Sequence, residues 1–130
     1  MPQLAKRGKF VFGWSVVGQD RRIEIPAQAW QEYGFEPGEA ICFTCGSRRS
    51  GGFGIGKKEV VAASKYISTR IYAEDFMDTN RTLILRPSLP AAPGDRLLVV
   101  RGSWVVLSFL LRGPIVEEAL LHPELEVLML

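Results

Sequence analysis

The chain has 130 residues, 47% of them hydrophobic and 23% charged, with a formal net charge of +2. That length supports one domain with its own core, and the composition excludes wholesale disorder and collagen-like repeats. The charge is too small to diagnose a nucleic-acid binder, yet it is uneven: residues 1–65 carry +4 and residues 66–130 carry −2, which places any anion-binding face in the first half.

Lys6, Arg7 and Lys9 lead into a strand-like run, Phe10 to Val17, with no apolar stretch and cleavage site of a secretory signal, so a cytoplasmic location is expected. Arg21 to Ile25 reads as a second strand. Pro26 then suits a helix start over Ala27 to Tyr33, which Gly34 would stop. Pro37-Gly38 turns the chain into a hairpin, Ala40 to Cys45 and Gly52 to Ile55, with Arg48 and Arg49 at its tip, and a helix follows near Lys57 to Lys65.

Tyr66 to Asp78 carries another strand, and Arg81 to Leu85 the next; Pro87-Ser88-Leu89-Pro90 leaves room for little more than a turn. Pro93-Gly94 feeds a second hairpin, Arg96 to Arg101 and Trp104 to Leu110, and Pro114 starts a helix reaching towards His122. Leu97 to Leu111 is too short to span a bilayer and is interrupted by Arg101, Gly102 and Ser103, so no membrane association is expected. Its strands are apolar on both faces and should be covered on both sides, by the other half or by a second chain. Leu125 to Leu130 either closes the sheet or leaves towards a partner.

The two hairpins superpose in sequence. Pro37 to Ser47 lies over Pro93 to Ser103 at an offset of 56, and the match continues through Phe53 over Phe109 and Val60 over Val116. Upstream, Arg21 to Ile25 lies over Arg81 to Leu85 at an offset of 60, so the second copy lacks about one helical turn. A single domain, 1–130, made of one pseudo-repeat at 10–65, a second at 66–122 and a C-terminal strand or tail at 123–130 is the expected organisation.

Arg22-Ile23-Glu24-Ile25-Pro26, a short helix, Gly34-Phe35 and Pro37-Gly38-Glu39 before an apolar strand resemble the SpoVT/AbrB superfamily, in which a strand ending in Pro leads to a helix, a Gly-acid turn and another strand. Two copies in one polypeptide resemble the arrangement of MraZ-type members. The resemblance implies an α+β, mainly β fold: a swapped-hairpin AbrB-type barrel with short helices, built from the two pseudo-repeats. It also implies a transcription regulator that binds double-stranded DNA, forms homo-oligomers and, in some members, pairs with a toxin.

Residue by residue, Arg22 occupies the motif arginine, whose planar fork suits a phosphate or a guanine edge. Arg21 replaces the motif glycine, a position that can demand an unusual backbone angle. Trp30-Gln31 and Ser15-Val16 stand where basic pairs are common in the family. The DNA-contacting set is therefore expected to be Arg7, Lys9, Arg21, Arg22, Arg48 and Arg49, acting mainly on phosphates. The alternative is a non-catalytic interaction and oligomerisation domain that kept the fold and lost DNA binding.

Other motifs point away from chemistry. Gly51 to Lys58 nearly matches the phosphate-cradling GxxxxGK loop, but Lys58 offers no hydroxyl for magnesium. Cys42 and Cys45, three apart on a strand, point to opposite faces and read as buried, reduced cysteines. His122 is the single histidine, with no nucleophile pattern beside it, and Glu117-Glu118 suit a helix start. No catalytic residues, cofactor or metal are expected. Trp14 and Trp104 read as core residues on strands, and Trp30 as an exposed contact.

Overall fold

The computed structural model describes residues 10–46 and 49–129. In the first half, β1 (Val11–Val16) and β2 (Arg22–Glu24) precede α1 (Ala27–Tyr33), and the hairpin β3 (Ala40–Cys45) and β4 (Phe53–Lys57) precedes α2 (Lys58–Ala63). In the second half, a 3-10 turn at Ile67–Arg70 leads to β5 (Ile71–Phe76) and β6 (Thr82–Ile84). The hairpin β7 (Arg96–Arg101) and β8 (Leu107–Leu110) follows, then α3 (Pro114–Ala119) and β9 (Val127–Leu128). Where the second copy lacks its helix, the chain makes only a turn closed by the Leu89 N–H on the Arg86 carbonyl at 3.0 Å.

The repeat becomes an internal two-fold arrangement. β4 and β8 lie antiparallel at the centre of a seven-stranded sheet of order β5-β3-β4-β8-β7-β1-β9, with Phe53 facing its own counterpart Phe109. β2 and β6 form a separate ribbon in which Ile23 likewise faces Leu83. The opening strand of each half lies on the hairpin of the other: β1 pairs with β7 and β5 with β3.

The Pro-Gly turns repeat atom for atom. Gly38 and Gly94 sit at φ +76° and +92°, the left-handed region that glycine enters without cost. The acidic residue after each glycine closes its turn: a Glu39 carboxylate oxygen accepts the Glu36 N–H at 2.7 Å, and an Asp95 oxygen accepts the Ala92 N–H at 2.8 Å. Each turn then reaches into the opposite half, Gly38 N–H to the Met77 carbonyl and Gly94 N–H to the Val17 carbonyl.

The main core lies between the seven-stranded sheet and the ribbon with α1. It gathers Phe12, Ile23, Ile25, Phe43, Phe53, Leu83, Leu97 and Phe109. On the sheet's other face, α3 and Leu125 cover Val11, Trp14, Leu98 and Val100, while Val61 of α2 covers Cys42 and Val106. The strand β7 is thus buried on both sides, as its unbroken apolar run demands, and its covers come from its own chain.

Three expectations are corrected. The sheet does not close into a barrel: its edges are β5 and β9, because the C-terminal segment takes the free edge of β1, with the Trp14 N–H donating to the Glu126 carbonyl at 2.8 Å. That pairing is parallel, so the sheet is mixed. Trp104 is 91% exposed, because β8 begins only at Leu107 and leaves Trp104 in the turn before it. Cys45 is exposed rather than buried, since it ends β3 where the covering layer stops. No helix among the described residues is long and apolar enough to cross a membrane.

Candidate functional site

Two places carry concentrated positive charge, and they lie on opposite sides of the large sheet. The first is the β2–β6 ribbon, which holds Arg22 and, just before it, Arg21. Arg21 and its repeat counterpart Arg81 both adopt positive φ, +67° and +60°, so the ribbon needs this backbone angle even though neither residue is glycine. It is needed because each supplies the carbonyl that extends the ribbon: Arg21 accepts from the Leu85 N–H and Arg81 from the Ile25 N–H, both at 2.8 Å.

The side chains of the ribbon arginines are occupied by protein. Arg21 donates from Nε to the Leu85 carbonyl at 3.0 Å and from Nη2 to the Arg86 carbonyl at 2.7 Å. Arg22 donates to Asp20 through Nε at 3.3 Å, and its Nη1 meets both the Asp78 carboxylate and, at 3.2 Å, the Thr82 hydroxyl. Arg81 pairs with Glu24 at 3.1 Å. The Asp20 carboxyl is held below its usual range, first by the Arg22 backbone N–H that it accepts. The ribbon surface therefore alternates in sign and is not a continuous cationic face.

The second place is a groove of about 490 Å³ on the sheet face away from the main core. Its floor includes one row of paired residues across four strands, Thr44 of β3 opposite Gly54 of β4, Gly54 opposite Ser108 of β8, and Ser108 opposite Val100 of β7. The row runs beside the Phe53–Phe109 pair, so the groove sits at the junction of the two halves, between the cover supplied by α2 and that supplied by α3.

Glycine alternation lets neighbouring side chains close onto β4. In β4, Phe53 and Ile55 enter the core while Gly54 and Gly56 face the other way, and Val106 packs close over both. Ser103 and Val106 line one side, on a turn fixed from below by the Tyr33 hydroxyl, which lies 2.7 Å from the Ser103 carbonyl and 3.0 Å from that of Val106. Burial there pushes the Tyr33 phenol up to about 12. Arg49, Arg70 and Arg112 stand around the groove, and no acidic residue lines it.

Of the six residues expected to contact DNA, Arg21 and Arg22 come together on the ribbon, Arg49 lies exposed at the groove, and Arg7, Lys9 and Arg48 lie outside the described residues. The ribbon carboxylates Asp20 and Asp78 were not legible as partners of Arg22. Asp20 had one local signal: two residues before Arg22, it accepts that residue's N–H at 3.1 Å, an Asx turn. Asp78 had none, since only the pairing of the halves delivers it. Arg70 and Arg112 were likewise silent in isolation.

The remaining motifs resolve as structure. The Gly51 to Lys58 segment is strand and helix start in an antiparallel setting, with Lys57 donating to the Gly34 carbonyl and Lys58 paired to Glu74 at 3.0 Å. Cys42 is buried and its thiol is pushed up by desolvation; Cys45 faces away from it. Among the described residues no group of three or more His, Cys, Asp or Glu could hold a metal ion. His122 lies between Glu124, at 2.9 Å, and Glu118, at 3.5 Å.

No family model matches the chain, and no curated protein or solved structure matches it either.

Proposed function

We propose that this chain is a non-catalytic interaction and assembly domain of SpoVT/AbrB type, in which Arg21 and Arg22 hold the two halves together instead of contacting DNA. The observation that carries this reading is the engagement of Arg22 by Asp20 and Asp78 together with the engagement of Arg21 by two carbonyls of the other half. Arg22, paired with two carboxylates, offers phosphate little net charge, and releasing it would strip both of their partner, while Arg21 is held in place by the carbonyls it donates to. The strand exchange between the halves and the matched Pro-Gly turns support the SpoVT/AbrB side of the reading, with one chain supplying the two-fold symmetry that simpler members obtain from two.

The surface for assembly is the end of the chain, and its occupant is a second copy. Leu120 and Leu121, after α3, and Val127 and Met129, in and just after the edge strand β9, are all exposed, the last at 71%. Light scattering after size exclusion is expected to give a dimer that Leu121→Glu with Met129→Glu turns into monomers. In parallel, titration of a fluorescent DNA duplex at about 50 mM salt is expected to show only weak binding that Arg22→Gln leaves unchanged. A monomeric wild type, or tight salt-sensitive DNA binding abolished by Arg22→Gln, would overturn the reading.

A second reading, a double-stranded-DNA-binding transcription regulator, draws its support from Arg49, Arg70 and Arg112, which share one acid-free region. It predicts tight duplex binding that falls with salt and weakens when Arg49 is replaced by Gln, with Arg22→Gln inert.

A further inference from the structure

We propose that the arginine-rimmed groove is a binding site for a small anionic amphiphile, a molecule with one carboxylate, phosphate or sulfonate head on an apolar body. This goes beyond assembly and does not depend on it, because the exposed C-terminal side chains are not among those that line the groove.

Size comes first. A volume of about 490 Å³ lies within the range of about 300 to 1,000 Å³ usual for small-molecule sites, and the junction of two structural halves is a common place for one.

Chemistry comes second. Val106, Leu110 and Ile115 supply apolar walls, while the hydroxyls of Thr44 and Ser108 are the polar side-chain groups of the floor row. The cationic side chains are all arginines, whose forks donate paired hydrogen bonds to planar or tetrahedral anions. Arg70 is pre-positioned, its Nη2 donating to the Cys45 carbonyl at 3.1 Å. Charge at the rim and apolar area within select a ligand divided the same way, and the absence of lining carboxylates disfavours a cation.

Architecture comes third. The groove's floor and side are held in place: Gly54 and Gly56 let Thr44, Val61 and Val106 pack against β4, and the turn carrying Ser103 and Val106 is tied down by Tyr33. A surface meant only for solvent needs neither device.

The test uses the full chain with anilinonaphthalene sulfonate as probe and the uncharged phenylnaphthylamine as its comparator. One saturable sulfonate site per chain is expected, weakened about three- to five-fold by Arg49→Gln and again by Arg70→Gln, while the uncharged comparator binds more weakly and is indifferent to both. Dodecanoate and dodecyl phosphate should both displace the probe, and the stronger of the two identifies the head group. Thermal unfolding of each variant, expected to match the wild type, confirms that a loss is not misfolding. Absence of a saturable site, equal binding of the two probes, insensitivity to both arginine variants, or displacement by duplex DNA and not by either amphiphile would each overturn the proposal.

Discussion

Gly54 offers a direct measure of how tightly the groove floor is built. A Cβ placed there would fall 2.5 Å from the Thr44 Oγ1 and 3.3 Å from the Val106 Cβ, so Gly54→Ala forces a buried neighbour to move. Overpacking of this kind costs about 1–3 kcal/mol. Against it stands the gain of about 0.4–1 kcal/mol from a less flexible unfolded chain, available because the backbone angle at Gly54 is one that alanine accepts. The net expectation is a loss of about 1–2 kcal/mol. Thr44 is 4% exposed and its hydroxyl makes the closest contact, so Thr44→Ala removes the clash. In that background Gly54→Ala should be neutral or slightly stabilising, which gives a coupling of about 1–2 kcal/mol. Urea unfolding of the four proteins in the cycle reads this directly. Equal costs of Gly54→Ala in both backgrounds would refute the contact, and with it the view that glycine is required beneath the groove.

Three further outcomes test other parts of the structure. Phe53 and Phe109 stack with ring centroids 5.1 Å apart at the internal two-fold axis, so replacing both by Leu should show a coupling of about 0.5–1.5 kcal/mol in a double-mutant cycle, whereas additivity would remove the pair from its central place. Tyr33→Phe removes the hydroxyl that ties down the turn of Ser103 and Val106; it should cost about 0.5–1.5 kcal/mol and speed amide hydrogen exchange selectively at residues 103–106, and unchanged exchange there would count against the anchor. His122 is raised above its ordinary 6.5, first by the hydrogen bond to Glu124 and then by the charges of Glu124 and Glu118. Because the folded value lies above the unfolded one, its contribution to stability is complete below the unfolded value and fades as pH rises through the folded one. Proton NMR should place the midpoint above 6.5 in the wild type and lower in Glu124→Gln; a midpoint at or below 6.5 in the wild type would exclude the pairing.

Local chemistry determined much of this protein. Pro26 and Gly34 bound α1, the alternation of Phe53 and Ile55 with glycines marks β4, and each Pro-Gly with its acid specifies a turn closed by a hydrogen bond between residues three apart. The repeated pattern was legible because it is a property of the string itself; that its counterparts Phe53 and Phe109, and Ile23 and Leu83, face each other is seen only in the fold. The apolar doubling of Leu97 to Val100 likewise required cover on both faces.

What the string could not decide were relations between segments remote along the chain. Arg22 is an inviting phosphate ligand until Asp78, 56 residues away, is brought against it. Whether the sheet closed depended on which segment reached the free edge of β1, and the short Val127–Leu128 strand did so. Cys45 is the last residue of β3 and Trp104 lies three residues before β8, so each sits at a strand boundary set by packing and not by propensity. The groove is the extreme case, since Arg49, Arg70 and Arg112 acquire a common surface only when two half-domains meet across β4 and β8. Turns and strands are determined by short-range sterics and hydrogen bonds, while the sign and shape of a surface depend on every segment that folds against it.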